Sequence, residues 1–144
     1  MSIQDDLYTK IKSVSGITAL IGSGDNTRFY PLIAPNSAYL PYVTFQRISS
    51  EHLHHQTASA GLAHALFQFD IYAATGPSAD AIAQAFRAGF DGLTTATWTS
   101  TAVKRVLLEN QLDLYEAPED GSEKGVHRIM MSFDIWFAES VPAP

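Results

Sequence analysis

The chain has 144 residues, 46% of them apolar and 17% charged, and its net charge of -6 results from 15 acidic and 9 basic side chains. This length fits one globular domain, and the apolar content excludes a disordered chain. The absence of cysteine excludes disulfides, a thiolate nucleophile and a cysteine-based zinc site, while a pI near 5.2 argues against a protein that binds nucleic-acid phosphates.

The first segment predicts an amphipathic helix over residues 2–14. Ser2 is suited to cap it, acidic residues occupy its first turn, and Gly16 is expected to end it. Residues 17–21 are then expected to form a short apolar turn. The apolar side of the helix repeats at spacings of four, four and three residues and consists of Ile3, Leu7, Ile11 and Val14.

The start of the chain also bears on localisation. It is acidic where a secretion signal is basic and then apolar, and no apolar stretch is long enough to span a membrane. We therefore expect a protein that is made and kept in the cytosol.

Three segments predict strands. Residues 42–50 are rich in β-branched and aromatic side chains, which favour strands. Residues 64–73 and 127–138 alternate apolar and polar side chains, which indicates strands with one buried face. The proline-rich residues 28–41 are expected to be extended and to lie over the domain rather than in the centre of a sheet.

The second half of the chain adds one more region of strand. Residues 97–115 predict either a single strand with a bulge near Glu109 and Asn110 or two separate strands. The charged residues 116–125 are expected to form a mobile hairpin connection, and residues 140–144 a flexible tail.

A second helix is predicted between the strands. From residue 77 to residue 92, the apolar side chains follow helical spacing. Pro77 suits a helix start, Ser78 is expected to cap it, and Gly92 is expected to end it.

This order of elements predicts an α+β fold, with a mostly antiparallel sheet of about four strands and two helices packed on one face. A single domain is expected over residues 1–139. The other face of the sheet would present charged and aromatic side chains, which suit contact with a partner. These side chains are Arg47, Gln68, Asp70, Tyr72, Arg128, Asp134 and Trp136.

The histidines are candidates for metal chemistry. His52 and His54, two residues apart on a strand, would point to one side and with His55 could hold zinc or nickel. The sequence offers no fixed further ligand, so histidines at a protein interface are the simpler interpretation. His64 and His127 each begin a strand and are interpreted as rim residues.

The remaining candidates for catalysis are carboxylates and serines. Asp70 and Asp134 would form an acid/base pair only if their strands brought them together, and pairing with Arg47 or Arg128 across strands is the simpler expectation. The sequence has no nucleophile elbow, phosphate-binding loop, dinucleotide fingerprint or helical His-Glu-x-x-His, and residues 22–24 are interpreted as a turn. These observations predict no enzyme and no cofactor.

Short motifs follow one another through the first half of the chain. A proline-bounded strand is followed by a histidine-bearing loop and by a Gln-x-Asp-x-aromatic-Ala strand. The motifs are Phe29-Tyr30-Pro31, Pro35, Leu40 to Arg47, Glu51 to His54, Gly61-Leu62-Ala63 and Gln68 to Ala73. In this order they resemble the tail-completion family of long-tailed bacteriophages, also called tail terminator or tail-to-head joining proteins. The resemblance covers nearly the whole chain and is weakest at residues 75–78 and 116–125.

The resemblance implies a structural protein of the virion, assembled in the bacterial cytoplasm and located at the neck of the tail. Family members are similar in forming a hexameric ring on the head-proximal end of the tail tube, which stops polymerisation and presents a surface to the head connector. The implied partners are further copies of this chain, the major tail tube protein and the head connector. DNA only passes through the channel, which suits an acidic protein, and neither a membrane nor a cofactor is implied.

We expect the contacts with other subunits, the tube or the connector to lie on the polar sheet face and on two loops, residues 49–61 and 116–125. The residues expected there are Arg47, Glu51, His52, His54, His55, Gln68, Asp70, Glu119, Asp120, Glu123 and Lys124. Two alternatives remain open. One is another neck component, such as a head-closure or minor tail protein, and the other is a small metal-dependent hydrolase built on the histidine cluster.

Overall fold

The computed structural model describes residues 3–22, 27–33, 40–54, 59–94, 96–98, 101–116 and 126–138. Within these ranges lie three helices and six strands, in the order α1 Ile3–Ser13, α2 Ser15–Ile21, β1 Phe29–Pro31, β2 Tyr42–His54, β3 Ser59–Ala73, α3 Gly76–Phe90, β4 Ala96–Trp98, β5 Thr101–Glu116 and β6 Val126–Ala138. The α+β class is confirmed, with one helix and two strands more than the sequence predicts. No helix of these ranges is long and apolar enough to cross a membrane.

All six strands belong to one mixed sheet in the order β1-β2-β3-β6-β5-β4. β1 runs parallel to β2, and every other neighbouring pair is antiparallel. The central ladder between β3 and β6 runs without a bulge from Leu62 opposite Ala138 to Ala73 opposite His127. Odd-numbered residues of both strands therefore share one face, and even-numbered residues share the other.

The core lies between the odd-numbered face and the three helices, and phenylalanines dominate it. The rings of Phe29 and Phe45 stack with their centroids 4.4 Å apart. Phe69 on β3 contacts Phe86 of α3 at 5.3 Å and Phe133 of β6 at 5.4 Å. Burial of each such ring stabilises the fold by about 1.5–3 kcal/mol, and packing between rings adds about 0.5–1.5 kcal/mol. The helix layer is thus fixed to the middle of the sheet.

Helix α1 follows the prediction, whereas the turn predicted at residues 17–21 is wrong because residues 15–21 form α2. Ile17 and Ile21, one helical turn apart, are both fully buried, and a helix is what brings them to the same side. The break between the helices lies at Val14, and Gly16 is inside α2. Ser2, the predicted cap, lies outside the described residues.

Acidic Asp6 in the first turn of α1 is buried and accepts a hydrogen bond from the hydroxyl of Thr101. This hydrogen bond attaches α1 to the start of β5. The carboxylate also stabilises α1 because its negative charge lies at the positive end of the helix dipole.

Helix α3 is confirmed, but its predicted cap is wrong. The N-cap is Thr75, whose Oγ1 accepts a hydrogen bond of 3.2 Å from the backbone N–H of Ser78. Pro77 occupies the first turn, where backbone N–H groups have no partner within the helix, so proline costs no helical hydrogen bond. The helix ends at Phe90, and Gly92 follows with a positive φ of 83° that favours glycine.

The three strongest strand predictions are confirmed, and two of the strands are longer than predicted. β2 continues to His54, and β3 already begins at Ser59. The proline-rich segment contributes β1 at the edge of the sheet, in agreement with its exclusion from the centre.

The prediction for residues 97–115 is confirmed in the form of one long strand with a bulge. β5 has a register shift between Leu108 and Asn110, and the short β4 precedes it. The expected hairpin loop, apart from its first residue in β5, and the expected flexible tail lie outside the described residues.

Candidate assembly surface

The even-numbered face of the sheet, which we call the polar face, has no helix packed on it in the part of the chain that the structure describes. Most of its side chains are half-buried among their neighbours rather than extended into solvent. On the two central strands these residues are His64, Leu66, Gln68, Asp70, Tyr72, Arg128, Met130, Ser132, Asp134 and Trp136. The face thus combines charges with aromatic rings.

One cluster on the polar face is centred on His64. Its Nδ1 lies 2.9 Å from Oδ1 of Asp134, and its Nε2 lies 3.0 Å from Oε2 of Glu51. The imidazole stacks on the indole of Trp136 with a centroid distance of 4.1 Å and an interplanar angle of 9°. The indole N–H in turn donates to Oδ2 of Asp134 at 3.0 Å. The cluster therefore joins β2, β3 and β6.

A carboxylate beside each ring nitrogen favours the protonated imidazole, because only then do both nitrogens donate. The hydrogen bond to Asp134 is the largest influence and raises the pKa of His64 above its ordinary value of 6.5. Partial burial acts in the opposite direction, and Glu51 adds a smaller upward contribution. The cluster thus favours a protonated imidazole between the two acids, and its net charge changes as the pH passes the raised pKa of His64.

A second cluster is centred on Asp70, towards the other end of β3. Asp70 is only 7% exposed, and its Oδ1 lies 3.2 Å from Nη2 of Arg128. The side-chain amide of Gln68 donates to the same carboxylate. The Arg128 guanidinium lies 5.4 Å from the ring centroid of Tyr72, which stacks on Tyr42 at 4.9 Å. The buried charge is thus matched by a cation and a hydrogen-bond donor.

The two clusters are separate, so the acid/base pair considered from the sequence does not form. Asp70 lies opposite Met130, four positions along β6 from Asp134. Pairing of Asp70 with Arg128 is confirmed, whereas Asp134 pairs with His64. His64 is thus the centre of a cluster and not merely a rim residue.

Arg47 does not belong to the polar face, which corrects the prediction. It lies opposite Phe67, a core residue, immediately before a register shift between Arg47 and Ser49. Arg47 shares this side with Val43 and Phe45, which precede it on β2 in unbroken register, and the bulge changes the face only of the residues that follow it. The alternation from Val43 to Arg47 is visible in the sequence.

The other residues expected at contacts lie towards the two ends of the sheet. Glu51 reaches the His64 cluster, and Nε2 of His52 lies 3.4 Å from the Ser50 hydroxyl. His54 is described only as backbone of β2, opposite Ser59. Outside the described residues lie His55, Glu119, Asp120, Glu123 and Lys124. Among the described side chains, no group of three or more histidines and acids could hold a metal ion.

Sequence reasoning missed the link between His64 and its partners because these partners are 13 and 70 positions away. Only the register of β2, β3 and β6 places them together. The signal available in the sequence was the alternation that puts His64 and Asp134 on the same face of their strands.

Residues 5–138 match the family model described as tail completion protein gp17. A chain in the solved structure "Virion of native gene transfer agent (GTA) particle" has a similar fold, with a TM-score of 0.71 and 16% sequence identity. The superposition covers 95% of this chain and 95% of that chain. At this identity the likeness concerns the fold. No curated protein sequence matches the chain.

Proposed function

Since this chain belongs to the tail completion protein gp17 family, we propose that it forms a hexameric ring on the head-proximal end of the phage tail tube. There it stops tube polymerisation and presents the docking surface for the head connector. The family makes it a non-enzymatic structural protein of the virion tail. The ring and its two docking partners are the proposal.

The observation that carries the proposal is the polar face. One face of the sheet packs against the helices, while the other, which carries several aromatic rings, is left uncovered in the described structure. A ring of subunits gives this face a function as the lining or support of a central channel. The cationic groups of both clusters are matched by carboxylates, which weakens attraction for the phosphates of passing DNA.

The strand directions support two docking ends. β2 and β6 run opposite to β3 and β5, so the β2–β3 connection and the β5–β6 connection lie at opposite ends of the sheet. We assign one end to the tail tube and the other to the connector. Glu51, His52, His54 and His55 would act at the first end, and Glu119, Asp120, Glu123 and Lys124 at the second. Gln68 and Asp70 would lie on the face between them.

The test combines solution mass with tube assembly. Six copies of the 15.7 kDa subunit give about 94 kDa by light scattering, and six-fold rings are expected by negative-stain imaging. Added to growing tail tubes, the protein should limit their length and decorate one end. Shortening the residue 116–125 loop or the residue 55–58 segment should each abolish attachment at one end only.

Two results would overturn the proposal. Tubes that lengthen unchanged in saturating protein would show that the chain does not terminate them. Decoration of filled heads, or of the tail end distal to the head, would favour another neck component or a minor tail protein.

A further inference from the structure

Both edges of the sheet are partly unpaired in the described structure. β1 pairs with β2 only over residues 43–45, and β4 pairs with β5 only over residues 101–103. Next to β4, residues 91–93 bond to Val106 and Leu108. Two stretches are left in the described structure, residues 46–51 of β2 and residues 110–116 of β5, which we call the free β2 edge and the free β5 edge. Unpaired backbone N–H and C=O groups of this kind are a template for another strand.

The two free edges lie at diagonally opposite corners of the sheet. Through the ladders, Ser50 on β2 is level with Ile135 of β6, whereas Asp113 on β5 is level with Ile129. Three antiparallel steps separate β2 from β5, so the two strands run in opposite directions. The free β5 edge of one copy can therefore meet the free β2 edge of the next in an antiparallel pair. A contact between different surfaces repeats from copy to copy and can close a ring.

The pleats of the two edges are compatible. In an antiparallel ladder, successive residues direct their backbone groups to alternate sides. The backbone of Val106 bonds outward to residues 92 and 93, which sets this alternation for β5. The outward residues are then Gln111, Asp113 and Tyr115 on β5 and Arg47 and Ser50 on β2. All of them lie opposite β6 or β3 residues on the helix side, so joined edges keep every helix on one side and continue the polar face between copies.

The side chains of the edges favour pairing. Native edges are commonly protected by lysine or proline, and neither residue occurs in these two stretches. The free β5 edge exposes Leu112 and Leu114, which are 47% and 42% accessible, and the free β2 edge exposes Ile48 at 47%. Exposed Asp113 on the free β5 edge and exposed Arg47 on the free β2 edge offer one pair of opposite charges, and the free β2 edge also carries exposed Glu51.

A groove beside the free β5 edge gives room to an added strand. It has a volume of about 710 Å³ and lies on the helix side, between α3 and Gln111. Asp80, Arg87 and Asp91 are among its lining residues, and Nε of Arg87 lies 3.7 Å from Oδ2 of Asp91. The helix-side residues of a neighbouring strand would enter this groove.

The offset between the two free edges along the strand direction is compatible with a closed barrel. The offset along the strand is the distance from Ile135 to Ile129, which is six residues or about 20 Å. The width of the four strands from β2 to β5 is about 19 Å. Pairing the centres of the two edges therefore tilts the strands by roughly 45°, close to the 35–45° of closed barrels. The register shifts after Arg47 and Leu108 supply bends near the junction.

We infer that the free β5 edge of one copy pairs in antiparallel fashion with the free β2 edge of the next, so that one continuous sheet closes the ring. The inference rests on the proposed ring and identifies its interface. The partner is a second copy of this chain.

The first test removes one outward N–H. Asp113→Pro deletes an N–H that the β5–β6 ladder does not use, and proline is tolerated on edge strands. The matched control Asp113→Asn removes the charge and keeps the N–H. We expect the asparagine variant to form rings and the proline variant to stay monomeric with unchanged far-ultraviolet circular dichroism. Rings of the proline variant at the wild-type concentration would overturn the inference.

The second test uses the absence of native cysteine. Ser50→Cys is combined in turn with Gln111→Cys, Asp113→Cys and Tyr115→Cys, which covers neighbouring registers. At least one pair should give, on oxidation, a ladder of cross-linked species that ends at the closed ring. Ser50→Cys with Ser13→Cys, at the exposed end of α1 and outside this groove, is the control and should give no ladder.

The outcomes separate the two proposals. If all three pairs form rings without cross-linking, another surface closes the ring and the edge pairing is wrong, while the proposed function stands. If one pair cross-links only to dimers, the contact is two-fold and the edge pairing as a ring interface is also wrong. If the wild type forms no ring even on tail tubes, both proposals fail.

Discussion

Replacement of His64 by glutamine tests how the polar face is held together. His64 lies between Asp134 at 2.9 Å and Glu51 at 3.0 Å, and its raised pKa shows that the folded state favours the protonated ring. A group with a raised folded pKa adds stability that is fully present below its unfolded pKa. This stability is lost as the pH rises through the folded pKa. The wild type is therefore expected to lose stability above pH 6.5, and His64→Gln should lack this loss.

The two carboxylates contribute unequally to the expected magnitude. The Asp134 side chain is 15% exposed, and a hydrogen bond between charged groups at such a site is worth about 1.5–3 kcal/mol. The Glu51 side chain is 68% exposed, so its ion pair adds only about 0–1 kcal/mol. For a chain of this size, 1 kcal/mol corresponds to about 2–4 °C in Tm. At pH 6 the glutamine variant should therefore unfold at a temperature about 3–16 °C below that of the wild type.

The assay is thermal unfolding followed by circular dichroism between pH 5.5 and pH 9, at one protein concentration because assembly itself stabilises the subunit. Subtracting the curve of His64→Gln removes the contributions of the other histidines. Asp134→Asn should reduce the pH dependence strongly, and Glu51→Gln only slightly. Equal slopes for the wild type and His64→Gln between pH 6 and pH 8 would refute the reasoning.

Three further predictions concern stability, measured by urea unfolding. Thr75→Ala removes the cap of α3 and should lower the free energy of unfolding by about 1 kcal/mol, whereas Thr75→Ser should retain it; equal loss in both variants would contradict a hydroxyl cap. Phe69→Ala leaves a cavity among four rings and should lower stability by about 3–5 kcal/mol; a loss below 1 kcal/mol would contradict the packing described. Arg128→Met leaves the buried Asp70 without its cation and should lower stability by about 3–5 kcal/mol. Adding Asp70→Leu should recover part of that loss, and a purely additive double variant would show that the pair does not interact.

The strand residues 64–73 and 127–138 could be predicted because each strand has neighbours on both sides and one fully buried face. Such an environment imposes strict alternation, and alternation is visible in a single sequence. β1 and β4 could not be predicted, because each has three residues, too few to show the alternation of a strand. They form strands only because β2 and β5 lie beside them. α2 is similar, because seven residues make too short a helical pattern to stand out from a turn.

The candidate surface could be predicted in composition but not in arrangement. The sequence indicates a polar face with Asp70, Arg128, Asp134 and Trp136, and the structure confirms that they share it. The grouping into two clusters depends on register, which the sequence does not state. The bulge after Arg47 brings Glu51 to the polar face, opposite His64, and a bulge follows from tertiary pairing rather than from local preference.

The unbroken ladder between β3 and β6 also has a mechanical consequence. Its twelve residue pairs, from Leu62 opposite Ala138 to Ala73 opposite His127, contain no register shift. A force along the strands must break the bonds of such a ladder together, whereas a force that peels the strands apart breaks them one at a time. In the proposed ring, a subunit is held at its two opposite ends by the tube and the connector, and its strands are tilted by roughly 45° to the ring axis. Part of any tension along the tail would then act along the strands, the direction in which such a ladder resists force best.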